Sequence, residues 1–259
     1  MSSSDNITWT GTFTPATNTE DASNTLSLAT SYTDPAGNAG PSETTENYAI
    51  DTLAPTVSSI VISSAPGIQN SFVNAGDVVS VTATFSESVI VDNASGNPTL
   101  TLVVGNTPRT ATYTSSSGAT MVFQYTIQAD ENDDDGIRIE ANVLALNGAT
   151  TRDTADNYAN NLNHSLVSDN ANYKVDTTLP TVSSVAITSA TTGMQNNFLN
   201  AGDVVSVTST FNEIVIRTGS PQLTIVVGST DRTATYTSGS GSTTLVFQYT
   251  IQAGDNDTN

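Results

Sequence analysis

The chain repeats itself with a period of about 125 residues, and this repeat limits the folds that it can adopt. Residues 72–87 and 198–213 agree at 13 of 16 positions and lie 126 positions apart. A second shared stretch, Asp-Thr-x-x-Pro-Thr-Val-Ser-Ser, begins at Asp51 and again at Asp176. A period of this length fits a whole domain and is too long for a solenoid unit. The sequence therefore predicts a tandem array of one module.

Composition narrows the class of protein. Hydrophobic residues make up 36% of the 259 residues, which is low but sufficient for sheet cores built from alternating strands. The absence of cysteine excludes disulfides, thiolate metal sites and cysteine nucleophiles. A net charge of −19 disfavours nucleic acid and anionic lipid as partners and attracts cations. No apolar run approaches the length of a membrane span, so we expect no membrane insertion.

Alternating hydrophobic residues predict strands throughout the chain. In the clearest one, Val78–Phe85, every second side chain is apolar, which gives one face for a core. Seven such segments fit into one repeat: 57–62, 78–85, 99–104, 109–114, 120–128, 137–146 and 166–175. We therefore predict an all-β protein of tandem immunoglobulin-like antiparallel β-sandwiches, with about seven strands per module.

The repeat also predicts the domain borders. Residues 51–175 form a complete module, residues 1–50 the C-terminal part of another, and residues 176–259 the N-terminal part of a third. Segments 8–14, 24–29 and 46–50 are the strands expected in the first part. Two interpretations of the partial modules are open. Either the chain is a fragment of a longer array, or its N-terminal strands complete the C-terminal module of another copy.

Four motifs recur together and indicate a family. They are an Asp-Thr-x-x-Pro linker, an Asn-Ala-Gly-Asp turn, a strand ending in Phe-x-Glu, and an Asp-x-Ala-x-Asn loop. In this combination the chain resembles the bacterial Ig-like repeats of very large cell-surface and secreted adhesins, including RTX-type and biofilm-associated ones. The resemblance implies an extracellular spacer that holds a ligand-binding tip away from the cell. It also implies neighbouring modules of the same chain as partners, with calcium near their junctions.

Strand directions predict where acidic side chains meet. Asp51 precedes the first strand of the complete module and Glu87 follows the second, so antiparallel pairing places them at one pole. The loop before the last strand should join them there, and in the first module its counterpart should occupy the same place. These loops supply Asp153, Asp156 and Asn157 in the complete module, and Asp34 and Asn38 in the first.

The opposite pole carries a second acidic group. Residues 130–135 should lie there and face the next module, close to Asp176 and Glu213. By the same reasoning, Glu20 and Asp21 should lie near Asp51 and Glu87. The acids of this loop that we consider as ligands are Asp130, Asp133 and Asp135. A plain solvated loop is the alternative, because the spacing does not match an EF-hand.

Carboxylates this close repel one another, and calcium relieves the repulsion. Calcium takes 6–8 oxygen ligands without strict geometry, and a chain with one His and no Cys offers oxygen almost exclusively. We therefore expect Ca²⁺ as the cofactor. Asp77 and Asp203, in the Asn-Ala-Gly-Asp turns, are expected instead to bond local backbone.

The sequence leaves three functions open. A single His gives no credible Ser-His-Asp arrangement, so we expect no enzyme. The first possibility is the calcium-stiffened spacer. The second is a module that binds a glycan or a protein, with Tyr32, Tyr48 and Tyr158 as the nearest aromatic candidates. The third is a strand-complemented fibre subunit that binds copies of itself. Two further expectations concern single residues: Trp9 in the core and His164 on the surface.

Overall fold

The computed structural model describes residues 2–5, 7–189 and 194–257, and in these residues it contains strands but no helix. This confirms the predicted all-β fold of tandem Ig-like sandwiches. The chain divides into two compact units, Met1–Thr177 and Thr178–Asn259. The predicted borders of the three modules stay predictions. None of the described residues belongs to a helix that could cross a membrane.

The described residues of the first unit form fifteen strands, most of them short. In chain order they are β1 (Glu20–Asn24), β2 (Ser27–Leu28), β3 (Glu43–Thr44), β4 (Tyr48–Asp51), β5 (Val57–Ser64), β6 (Phe72–Val73), β7 (Val78–Phe85), β8 (Ile90–Asp92), β9 (Thr99–Val104), β10 (Thr107–Ser117), β11 (Thr120–Thr126), β12 (Asn132–Asp133), β13 (Leu144–Ala145), β14 (Thr150–Arg152) and β15 (Lys174–Asp176).

A six-stranded antiparallel sheet forms the main layer of this unit, in the order β13-β9-β10-β11-β7-β5. Alternation in β7 buries one face, as predicted. Val81 is fully buried opposite Phe123 of β11, which is itself fully buried and packs edge-on against Tyr113. Each such side chain stabilises the fold by about 1.5–3 kcal/mol relative to an exposed one.

The second layer is less regular than predicted. The expected strands 137–146 and 166–175 are reduced to β13, β15 and isolated bridges, including Ile139↔Val167. Left-handed backbone explains the interruption, because Gly136 has φ 103° and Asn142 has φ 61°. Ile139 still contributes a fully buried side chain to the core. Extended pairing, therefore, is not needed to cover this face of the main sheet.

His164, for which the sequence predicts a surface position, is hydrogen-bonded to this second layer. The residue is half-buried, and its Nε2 accepts a hydrogen bond from the Val143 amide at 2.9 Å. Its own amide donates to Oδ1 of Asn142 at 2.9 Å. The imidazole thus satisfies backbone groups of a loop that has few strand partners.

The N-terminal residues differ from expectation in one place. Strand β4 lies close to the predicted segment 46–50, and β1 and β2 lie close to the predicted segment 24–29, whereas the predicted strand 8–14 does not form. Only one bridge, Ser2↔Thr10, involves that segment in the described part of the chain. Without a paired strand to hold it against a core, Trp9 is 61% exposed, and its predicted burial was wrong.

The second unit repeats the main sheet of the first. Its strands are β16 (Val182–Ser189), β17 (Val204–Val215), β18 (Gln222–Val227), β19 (Thr230–Ser238) and β20 (Ser242–Thr250), in the order β16-β17-β20-β19-β18. Tyr236 packs edge-on against Phe247 with ring centroids 6.2 Å apart, the same separation as in Tyr113–Phe123. The sequence repeat is therefore a structural repeat.

Candidate metal site

Three carboxylates meet at one pole of the first unit. Asp51 ends β4, Glu87 follows β7, and Asp153 follows β14. Their nearest oxygens all lie within 4.8 Å of one another, and no other such group of three potential ligand residues occurs among the described residues. The cause is the one expected from sequence: β5 and β7 are antiparallel, so the start of one lies beside the end of the other.

Asp153 is held by its own loop. The residue is 1% exposed, and its Oδ1 accepts hydrogen bonds from the amides of Ala155 at 2.7 Å and Asn157 at 2.9 Å. The loop closes with a bond from the Asp153 amide to the Asn157 carbonyl at 3.1 Å. These donors satisfy a buried carboxylate and fix its direction.

Asn157 links the loop to the other carboxylates. Its Nδ2 donates to Oδ2 of Asp153 at 2.8 Å, and to the carbonyl and Oδ1 of Asp51 at 3.2 and 3.3 Å. The positive end of one amide dipole therefore lies among three oxygens. A cation in the same place would interact with those oxygens more strongly.

The electrostatics of the pole show a local excess of negative charge. Burial raises the pKa of Glu87, and the negative charges of Asp153, Asp51 and Glu20 raise it further. Glu20 reaches the pole because β1 pairs with β4 in a register that sets it opposite Asp51. The expected proximity of Glu20 to this group is confirmed.

The donor set fits a hard cation. Three carboxylates and the Asp51 carbonyl supply oxygen, and calcium accepts such ligands in irregular geometry. A surface hollow of about 320 Å³ lies beside Asp51 and is also lined by Glu20 and Asp21. Calcium binding itself stays a prediction.

Asp156 does not join the other acids. Its backbone is left-handed, with φ 69°, and its carboxylate forms an ion pair with Arg152. The Asp156 side chain is 73% exposed. The structure therefore places it beside the group rather than within it.

The matching loop of the N-terminal segment has the same internal geometry. Asp34 accepts hydrogen bonds from the amides of Ala36 at 2.9 Å and Asn38 at 2.8 Å, and from Nδ2 of Asn38 at 2.7 Å. The side-chain bond from Asn38, followed by its backbone bond, lowers the pKa of Asp34. This loop is exposed, and no group of three acids forms around it in the described chain.

The loop 130–135 uses one of its acids for structure. Asp133 is 3% exposed, and its two oxygens accept the amides of Gly105 and Gly136, each at 2.7 Å. Burial raises the pKa of Asp133, and the neighbouring Asp135 adds to the effect. Asp130 and Asp135 are exposed. Metal binding by these three residues stays a prediction.

Asp176 lies beside this loop, as expected, because β15 pairs with β12 and sets it opposite Asn132. Glu213 belongs to the second unit and lies within β17, where the sequence had suggested a strand end. Its Oε1 is buried and has no hydrogen-bond partner among the described residues. Metal binding by Asp176 and Glu213 stays a prediction.

The turn residues behave as expected. Oδ2 of Asp77 accepts the amide of Asn74 at 2.9 Å, and Oδ2 of Asp203 accepts the amide of Asn200 at 2.7 Å. Both side chains thus bond local backbone, which confirms the structural interpretation of the Asn-Ala-Gly-Asp motif.

Sequence reasoning missed a buried acid that recurs in both units. In the first unit, Glu131 forms an ion pair with Arg109 and accepts the hydroxyl of Tyr125 at 2.5 Å and the amide of Gln128 at 2.8 Å. Its side chain is 2% exposed. Burial, and then the hydrogen bond and charge of Glu131, raise the pKa of Tyr125 to about 12.

The second unit carries the same arrangement with a shorter acid. Asp255 accepts Nε of Arg232 at 2.8 Å, the hydroxyl of Tyr249 at 2.6 Å and the amide of Gln252 at 2.8 Å. The signal in the sequence is the shared Tyr-Thr-Ile-Gln-Ala, with an acid three positions after Gln and an Arg one strand earlier.

Comparison with known protein families finds a match for the N-terminal part of the chain. Residues 1–50 match the family described as "Bacterial Ig-like domain". The match includes β1–β3, most of β4 and the Asp34–Asn38 loop, and it agrees with the Ig-like architecture. No match is found among the curated proteins.

Proposed function

We propose that the chain is a non-catalytic spacer segment of a bacterial extracellular adhesin. Its repeated Ig-like units, its excess of acidic residues and the bacterial Ig-like match over residues 1–50 support this role. The work of such a segment is mechanical: it sets distance and direction. Fold alone does not define a function, so the acidic pole is the feature that makes the proposal specific.

We further propose that one calcium ion binds Asp51, Glu87 and Asp153. The carboxylates stand at the ends of β4, β7 and β14, so a shared ion would tie three elements together. Like charges about 4 Å apart repel by roughly 4 kcal/mol at an effective dielectric of 20, and a divalent cation reverses the sign of that interaction. The cluster of three carboxylates within 4.8 Å is the observation that carries the proposal.

Calcium would then stiffen the path of the chain through Asp51. Glu20, opposite Asp51 in the β1–β4 pair, adds a fourth charge from the N-terminal segment. Extracellular modules bind calcium with dissociation constants of roughly 10⁻⁴ to 10⁻³ M. A site in that range fills outside a cell and empties in a low-calcium cytosol, so rigidity would follow export.

Calorimetric titration of the full chain with calcium tests this assignment. We expect binding that is lost in Glu87→Gln and in Asp51→Asn. Asp92→Asn is the matched control, because Asp92 lies outside the group of three acids and accepts the amide of Ala94, two residues on, at 3.0 Å. Equal calcium binding by Glu87→Gln and the unmodified chain would exclude the site. We also expect magnesium to bind more weakly than calcium.

A second candidate function is self-assembly by strand complementation. One observation favours it: Val185 and Ile187 of β16 are 54% and 69% exposed, whereas Ile60 and Ile62, at the same repeat positions of β5, are 6% and 8% exposed. An uncovered apolar face of this kind could accept strands of another copy. Light scattering over a wide concentration range decides the matter, since a monodisperse monomer at high concentration excludes it.

A further inference from the structure

A three-residue strand holds the C-terminal exit of the first unit. β15 lies between two partners, parallel to β6 and antiparallel to β12. The Lys174 amide donates to the carbonyl of Ser71 at 2.9 Å, and the Thr177 amide donates to Oδ1 of Asn132 at 3.0 Å. Val175, in the middle of β15, is fully buried. The exit strand is therefore held on both edges and on one face.

A side-chain contact reinforces the parallel pair. The ammonium of Lys174 lies 5.4 Å from the centre of the Phe72 ring, a cation–π distance. Phe72 is also the register partner of Lys174 across the β6–β15 pair. Backbone and side chain thus join the same two residues.

The other partner, β12, is anchored to the main sheet. Glu131 directly precedes it and is held by Arg109 of β10 and by the hydroxyl of Tyr125 of β11. A pull on β15 therefore passes through β12 and Glu131 into the six-stranded sheet. Glu131 is not part of the proposed calcium site, and this connection gives it a mechanical role.

The direction of the strands determines how a stretching force acts on the hydrogen bonds of β15. Asp51, where the chain enters, lies beside Glu87 after the end of β7, whereas β15 lies at the other pole with β12. Tension between the two poles draws β15 out from its C-terminal end, while β5 and the loop after it hold β6 from its N-terminal side. In parallel strands pulled this way, the hydrogen bonds are loaded together in shear rather than opened one at a time.

We infer that β15, clamped between β6 and β12, is the force-bearing patch of the first unit, and that its rupture limits unfolding under tension. The inference rests on the proposed spacer role only in that a spacer is stretched along its length. Calcium takes no part in it, because the patch lies at the pole opposite the Asp51–Glu87–Asp153 group.

Single-molecule stretching of the full chain, held by its two ends in a calcium chelator, tests the inference. Unfolding of residues 52–176 is recognised by its length, since about 3.3–3.6 Å per residue corresponds to a release of roughly 400 Å. Lys174→Pro removes the amide that donates to Ser71. We expect its unfolding rate at fixed force to rise at least about tenfold, because forced unfolding follows the unfolding rate.

Two variants cover the case in which proline prevents folding. Lys174→Ala keeps the backbone bond and removes the contact with Phe72, and Tyr125→Phe removes one anchor of Glu131. Each should raise the unfolding rate by several-fold. Tyr249→Phe makes the same chemical change in the second unit and should leave this unfolding step unchanged.

His164→Ala separates mechanical from thermal stability. It removes the acceptor of the Val143 amide, and neither residue belongs to β15 or its partner strands, so it should lower the melting temperature but change the rate under force by less than about twofold. The inference is overturned if His164→Ala accelerates forced unfolding as much as Lys174→Ala and Tyr125→Phe do. It is overturned equally if those two variants stretch like the unmodified chain. Loss of calcium binding alone would contradict the proposed site and leave this result untouched.

Discussion

The side-chain amide of Asn157 donates a hydrogen bond to Oδ1 of Asp51 at 3.3 Å, although 106 positions separate the two residues. The same nitrogen donates to Asp153 at 2.8 Å. One neutral side chain thus links two carboxylates of the acidic pole.

Replacement of Asn157 should reveal the electrostatic repulsion between the carboxylates of Asp51 and Asp153. We expect Asn157→Ala to lower the unfolding free energy by about 1–3 kcal/mol in chelator, because the bonds to Asp51 and Asp153 are lost. Millimolar calcium should recover part of the loss. Denaturant titrations with and without calcium measure both effects, and Asn163→Ala, in an exposed loop, is the control. If calcium recovers none of the lost unfolding free energy, the stabilising effect of the amide is independent of cation binding.

Without calcium, stability should depend on pH through Glu87. Burial and the neighbouring charges raise the pKa of Glu87 in the folded chain, so the folded state binds more protons than the unfolded state. Its stabilising contribution is therefore complete below the ordinary Glu pKa and is lost as the pH rises through the folded value. Comparison of Glu87→Gln with the unmodified chain isolates this group. We expect the difference between their melting temperatures to change across that window, and a constant difference would refute the assignment.

The buried acid Glu131 and its partners Arg109 and Tyr125 should contribute strongly to the stability of the first unit. Tyr125→Phe removes one hydrogen bond to Glu131 and should cost about 1 kcal/mol, whereas Glu131→Ala removes a charged acceptor from three donors and should cost about 2–3 kcal/mol. Calorimetry resolves the effect if the two units melt separately. Tyr249→Phe, which removes the matching hydrogen bond to Asp255, should then shift only the melting transition of the second unit, and a shift of both transitions would contradict this expectation.

Glycines with a left-handed backbone conformation should mark the positions at which the second layer cannot form a regular strand. An added Cβ at Gly136, with φ 103°, would come within 2.1 Å of the Asn170 carbonyl oxygen. Gly118, with φ 54°, has open space around that position. Gly118→Ala should therefore cost about 1–2 kcal/mol for its backbone alone, and Gly136→Ala clearly more. Equal melting temperatures for the two variants would contradict this account of the interrupted strands.

Periodic burial is what the sequence predicts well. The alternation in Val78–Phe85 defined β7 and its inward face, and antiparallel pairing then placed Asp51 beside Glu87. Local backbone conformation is predicted less well. A left-handed residue turns Asp156 toward Arg152, while its neighbour Asn157 faces the acids. Composition does not distinguish these two residues.

Burial inside loops gives no periodic signal at all. Glu131 stands in a run of acids that suggests a solvated loop or a metal site, yet its side chain is 2% exposed and bonded to Tyr125. The prediction for Trp9 is wrong in the opposite sense: this apolar residue was expected to be buried but is exposed, because its strand-like segment has no partner strand to bury it. Only the comparison of the two repeats could have indicated this buried acid, because both repeats place an acid three residues after Gln.

Crystals grown with millimolar calcium test the central claim most directly. The account predicts a single cation peak between Asp51, Glu87 and Asp153, with one oxygen from each at about 2.3–2.6 Å, and the same peak absent from crystals of Glu87→Gln. A structure at full calcium with solvated carboxylates and no peak between these three residues would contradict it.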